Sequence, residues 1–182
     1  MSATNLKISE KQKIIISNLI SRNDDEVISL LQEFRDNGEL FIVQPLLDML
    51  FSNRSEKLKT SILEFLEDVK NQKIVPLIAQ SIRDHRNNWD ISKLISVCWQ
   101  SSLDFSNEID LFVDILCNEN YQASFEAFTV IENSLGSLPK KQRNLQAAVI
   151  NSKIKESPKD KQPLLYEMTE IIENFKEEEE EG

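Results

Sequence analysis

An apolar cassette recurs at a fixed step and limits the fold more than any other feature of the chain. It reads Ile14-Ile15-Ile16-x-x-Leu19-Ile20, then Pro45-Leu46-Leu47-x-x-Leu50-Phe51, then Pro76-Leu77-Ile78-x-x-Ser81-Ile82, each copy 31 residues after the last. A period of about 20 to 50 residues marks stacked repeats, in which each unit hides its apolar side against its neighbours. Between the cassettes runs a second motif at i, i+4, i+7: Val27/Leu31/Phe34, Leu58/Ile62/Phe65, Ile91/Ile95/Cys98, Ser124/Phe128/Ile131 and Leu164/Met168/Ile171. Residues so spaced share one side of a helix, and only Ser124 is a poor fit. Two alternating stripe types in a shared register predict helices stacked in pairs.

Helix punctuation agrees with this alternation. Asn23-Asp24-Asp25-Glu26 places a capping side chain and acidic groups at the start of the helix that carries Val27, and Gly38 follows its stripe where a left-handed C-cap belongs. Pro45 and Pro76 stand in the first turn of their helices, where the missing N–H has no intrahelical partner to lose. Pro139 predicts an early position in a helix running towards Ile154. Ser157-Pro158 followed by Asp160 predicts the last helix, with Asp160 as cap and Pro163 tolerated behind it. The expected total is about ten helices in five pairs with short connections.

The 182 residues are 40% hydrophobic with three Gly and five Pro, enough for one elongated helical domain over residues 1–176 and too little turn chemistry for a β-rich fold. No run approaches the roughly 18 apolar residues that span a bilayer. Met1-Ser2-Ala3-Thr4-Asn5-Leu6-Lys7 lacks the apolar core of a secretory signal, which points to the cytoplasm. Cys98 and Cys117 each lie on an apolar stripe, without a C-x-x-C pairing, and read as buried structural thiols. The net charge is −10, from 31 acidic and 21 basic side chains, and half of it resides in Glu177 to Glu181, expected as a solvated, disordered acidic tail over 177–182. The basic cluster Lys140-Lys141-x-Arg143 with Lys153 and Lys155 is too local to track a phosphate backbone, so nucleic acid and anionic membrane surfaces are disfavoured as partners.

The stretch Ile74-Val75-Pro76-Leu77-Ile78-Ala79-Gln80-Ser81-Ile82-Arg83-Asp84 resembles the first helix and turn of a HEAT repeat, with Pro76 at the helix start and Asp84 in the turn. The preceding unit matches through Pro45, Leu46-Leu47, Leu50 and Asn53, with Leu58-Lys59 where the family usually has Val-Arg. In the later unit Trp89-Asp90 replaces that pair, so the Asp–Arg ladder that ties neighbouring HEAT repeats is incomplete. Including Ser96 to Ser106, the chain is similar to small uncharacterised bacterial HEAT-repeat proteins. The resemblance implies an all-α fold, a right-handed, armadillo-like α-solenoid of about five antiparallel helix pairs that binds proteins, and it implies no reaction. A tetratricopeptide array, with a period of about 34, is the competing repeat, and its Trp, Gly, Tyr, Ala, Phe and Pro signature has no counterpart here.

Chemistry-bearing residues are sparse. His85 is the one histidine and sits in the polar turn Asp84-His85-Arg86-Asn87-Asn88, where a solvated side chain is expected rather than a general base. No P-loop, glycine cradle, H-E-x-x-H or multiple Cys/His spacing occurs, so neither cofactor nor metal is expected. Glu64 with Glu67 and Asp68 occupies an exposed helix face, the ordinary setting of solvated carboxylates. The expected class is a non-enzymatic interaction scaffold or adaptor. The alternative is a HEAT-like enzyme or lyase-type subunit acting on a bound small molecule, which a deep pocket of aromatics and carboxylates would favour.

Trp89, Trp99, Phe105 and Tyr121 lie mid-chain and suit either an interface hot spot or core filling between the third and fourth pairs. If the second helix of each pair lines the inner face of the curve, as the HEAT resemblance implies, positions two, six and nine residues beyond each stripe's first residue point into a groove. They are Ser29/Glu33/Asp36, Thr60/Glu64/Glu67, Lys93/Val97/Gln100, Glu126/Val130/Asn133 and Tyr166/Glu170/Glu173. The carboxylates Glu33, Asp36, Glu64, Glu67, Glu126, Glu170 and Glu173 form a candidate surface for a partner protein presenting a basic segment. Plain solvation of a helix face is the competing account.

Overall fold

The computed structural model describes residues 9–37, 40–88 and 90–176, without the side chains of 35–37. Gly38, Trp89, the side chain of Asp36 and the run Glu177 to Glu181 lie outside the described residues. Among the described residues the chain is all-α, with ten α-helices and no strand. The helices are α1 (Glu10–Ser21), α2 (Asp24–Asn37), α3 (Val43–Leu50), α4 (Glu56–Asp68), α5 (Val75–Asp84), α6 (Ile91–Gln100), α7 (Ile109–Asn118), α8 (Tyr121–Ser134), α9 (Lys140–Lys153) and α10 (Gln162–Asn174). None of the described helices is long and apolar enough to cross a membrane.

Local chemistry sets the helix starts. Ser9 opens α1 with a reciprocal pair: its hydroxyl accepts from the Gln12 N–H (3.3 Å) and its own N–H donates to the Gln12 side chain (2.9 Å). Asn23, Ser55 and Asn120 cap α2, α4 and α8 by accepting from the N–H groups of Glu26, Leu58 and Ala123. The helices α3, α5 and α7 begin differently. Each grows out of a 3-10 turn, Leu40–Ile42, Gln72–Ile74 and Ser106–Glu108, and has no side-chain cap of its own. The turn already runs in the helical sense, so the amides of Val75 and Ile109 find the carbonyls of Gln72 and Ser106.

Pro45 and Pro76 fall in the first turns of α3 and α5, as their chemistry requires. Two expected starts shift. Pro139 is the residue before α9 rather than part of it, and α10 is preceded by Lys161, not capped by Asp160. There the Pro158 carbonyl accepts from the amides of Lys161 (2.9 Å) and Gln162 (3.1 Å), so the backbone turn itself does the work of a cap.

The principal helix contacts join members of one pair or of adjoining pairs. α2 packs on α4, α4 on α6, α6 on α8 and α8 on α10; among the odd-numbered helices α3 packs on α5 and α7 on α9. Within pairs, α3 meets α4, α5 meets α6, α7 meets α8 and α9 meets α10. The expected stripes face these contacts: Leu31, Ile62 and Ile95 are 2%, 0% and 0% exposed. Ser124, the polar member of its stripe, is tolerated in the core because its hydroxyl is shared between the carbonyls of Ile115 (3.3 Å) and Glu119 (3.2 Å) at the end of α7. The first cassette behaves differently, since Ile14 and Ile20 are 61% and 52% exposed and only Leu19 of α1 is buried.

Candidate partner-binding surface

Side chains stitch together the turns that join the two helices of each pair. Arg54, in the α3–α4 turn, donates to the carbonyls of Ile20 (2.7 Å) and Arg22 (2.9 Å) and pairs with Asp24 (3.0 Å), reaching the α1–α2 turn. Asp24 accepts in return from the Ser55 amide (2.8 Å), and the bonds from Ser55, followed by the nearby Arg54, hold its carboxyl below the ordinary 3.8. From the same turn the Phe51 ring stacks on His85 of the α5–α6 turn, with centroids 3.9 Å apart and planes 7° from parallel. Arg86, beside it, pairs with Asp114 and with Glu119 (2.9 Å) at the end of α7. Lys161, before α10, donates to the Glu119 carbonyl (2.7 Å). Each turn is thereby joined to the next.

These contacts correct the expected role of His85. Its ring is half-buried and Nδ1 lies 2.9 Å from the Ser81 carbonyl; a carbonyl only accepts, so Nδ1 carries the proton. Stacked and hydrogen-bonded, it is a packing element. Both thiols are buried, and desolvation pushes them up; Cys98 Sγ donates to the Leu94 carbonyl (3.7 Å). Arg143, counted in the basic cluster, is 4% exposed and donates to the carbonyls of Leu135 (3.2 Å) and Leu138 (2.5 Å), which removes it from any phosphate-binding surface. Among the described residues no three His, Cys, Asp or Glu side chains converge as a metal site. A cleft of about 290 Å³ opens beside Trp99, lined by Ser101, Ser102, Asp104 and Asn133; its one thiol is that of Cys98, and it holds no histidine.

The candidate carboxylates lie on the even-numbered helices. Glu33, Glu64, Glu170 and Glu173 are exposed on α2, α4 and α10, and Glu67 is half-buried on α4. Glu126, half-buried on α8, accepts from the indole N–H of Trp99 on α6 (2.8 Å). Asp36 belongs to α2, with its side chain outside the described residues. Two middle positions of the expected groove belong to the core instead, Val97 and Val130 being 0% and 1% exposed, while Lys93, Gln100 and Asn133 beside them are exposed. α6 and α8 pack extensively on each other as well as on their partners, which widens the buried arc of both.

The mid-chain aromatics divide. Phe105 belongs to the core, edge-on to Phe112 with centroids 5.9 Å apart, whereas Trp99 and Tyr121 reach the surface. The candidates omitted Phe125, which with Tyr121 and with Tyr166 of α10 is about half exposed. An aromatic pair four residues apart and outside the stripe, Tyr121 and Phe125, is the sequence signal that marks them. No family model matches the chain, and neither a curated protein nor a solved structure does.

Proposed function

We propose that the protein is a non-catalytic interaction scaffold, a right-handed HEAT-like α-solenoid that binds a basic segment of a partner protein along its even-numbered helices. The observation that carries this reading is the serial packing of α2, α4, α6, α8 and α10, which supports one long face bearing Glu33, Glu64, Glu67, Glu170 and Glu173. The links between turns support a repeat register, since Arg54 and Arg22 lie 32 residues apart and Arg86 and Glu119 lie 33 apart. A long acidic face attracts an extended basic chain and sets its encounter rate and orientation more than its final affinity.

Charge reversal tests this. Glu64→Lys with Glu67→Lys, and separately Glu170→Lys with Glu173→Lys, are compared with Asp48→Lys with Asp84→Lys on the odd-numbered helices. Binding of fluorescein-labelled basic peptides is followed by anisotropy across a salt series. At least one even-helix pair should slow association about tenfold and flatten the salt dependence, with the odd-helix pair close to wild type. The reading fails if neither even-helix pair departs from the control.

A further inference from the structure

Within that face the two halves differ in what they leave unmatched. In the N-terminal half the cations of α4, of the turn before it and of α6 are used inside the molecule: Arg54 on Asp24 (3.0 Å), Lys57 on Asp25 (2.7 Å), Lys59 on Glu56 (3.5 Å), and Lys93 on Asp90 (2.8 Å) and Glu56 (3.2 Å). Helices α8 and α10 contain no Lys or Arg. Among the described residues Glu132, Glu167, Glu170 and Glu173, on these two helices, have no ion pair. The same helices expose Tyr121 (51%), Phe125 (51%) and Tyr166 (52%), and α8 packs on α10. Tyr121 and Phe125, one turn apart, stand side by side. Trp99 joins them from α6, its indole N–H committed to Glu126.

We infer that the α8–α10 face recognises arginine side chains of the partner's basic segment, an assignment that rests on the scaffold reading and narrows it. A guanidinium is flat, stacks its face on an aromatic ring and donates from its edge to carboxylates at the same time. Few other side chains satisfy a surface that offers rings and carboxylates together. The protein makes the ring half of this contact internally, where the Arg143 guanidinium lies 4.7 Å from the Phe175 centroid. A lysine keeps the charge attraction and loses the planar stacking and the forked donors. An acidic or neutral apolar occupant meets Glu126, Glu132, Glu167, Glu170 and Glu173 on these two helices, in a protein whose net charge is already −10.

The test titrates the full chain with an arginine-rich fluorescein-labelled peptide, its lysine counterpart and its glutamate counterpart, read by anisotropy over a salt series. The arginine peptide should bind about tenfold tighter than the lysine peptide, and the glutamate peptide should not bind. Phe125→Leu with Tyr166→Leu, which keeps apolar area and removes the rings, should erase the arginine preference with the salt slope intact. Glu170→Gln with Glu173→Gln should flatten the slope. All four side chains are exposed, and circular dichroism checks that each variant is folded. Equal affinity for arginine and lysine peptides overturns the inference, as does binding of the glutamate peptide or a dimer in sedimentation that the leucine pair abolishes. Sensitivity confined to Glu64→Lys with Glu67→Lys also overturns it and leaves the scaffold reading standing. Failure of every basic peptide to bind overturns both.

Discussion

Arg143 holds the end of α8 and the end of α10 at once, through the Leu135 and Leu138 carbonyls and the Phe175 ring. Arg143→Ala strands the buried Leu138 carbonyl and leaves that of Leu135 only the Leu138 amide (3.2 Å), which should cost about 2–3 kcal/mol in urea unfolding, and Arg143→Lys should recover only part of it because an ammonium cannot fork or stack. Asp24 and Lys161 each make stability rise with pH, one in an acidic window and the other in an alkaline one. The Asp24 carboxyl is held below 3.8, so its stabilisation is present above about pH 4 and lost as the pH falls through its lower folded value. The stability gap between wild type and Asp24→Asn should therefore close on acidification. Desolvation lowers the Lys161 ammonium from 10.5, so the unfolded chain binds more protons in the window below that value and stability rises with pH there. Lys161→Met should lack that rise, which unfolding curves collected between neutral and alkaline pH would show. Neither residue stands out in the sequence, since what distinguishes them is a partner in another turn.

At the scale of the element, α4 shows why the stripe is a reliable signal. Leu58, Ile62, Phe65 and Leu66 are buried together, and α4 packs against α2, α3 and α6. Ile62→Ala should cost about 2–5 kcal/mol and Phe65→Ala about 3–5, by chemical denaturation, since a cavity there cannot be refilled from one side. The caps are smaller terms: Asn120→Ala should cost about 1 kcal/mol through the orphaned Ala123 amide. Caps at Asn23, Ser55 and Asn120 are legible because the residue type itself performs the task. The 3-10 entries into α3, α5 and α7 are not, because Leu40-Phe41-Ile42, Gln72-Lys73-Ile74 and Ser106-Asn107-Glu108 have no residue common to all three and are shaped by the backbone that follows them.

Over the whole molecule, contacts between neighbours dominate, so local stability should follow local burial. α1 buries Leu19 alone, whereas α7 buries seven of its ten residues, among them Phe112, Ile115 and Leu116. Hydrogen exchange should accordingly release the α1 amides first and those of α7 and α8 last; uniform protection across the helices would contradict this. The helices, their number and their buried stripes follow from the sequence alone, because burying a helix imposes a spacing of three and four residues that any reader can count. The surface does not follow in the same way. Arg22, Arg54 and Arg86 recur every 32 residues, yet Arg54 binds the Arg22 carbonyl while Arg86 binds the carboxylates of Asp114 and Glu119. Val97 and Val130 occupy groove positions by spacing and core positions in the fold, whereas Phe125 has the composition of a core residue and lies half exposed. Burial of a stripe is a periodic demand written along one helix; which charge is neutralised and which ring is left bare depends on side chains brought together from some 30 residues away, and only the packing of helix on helix decides that.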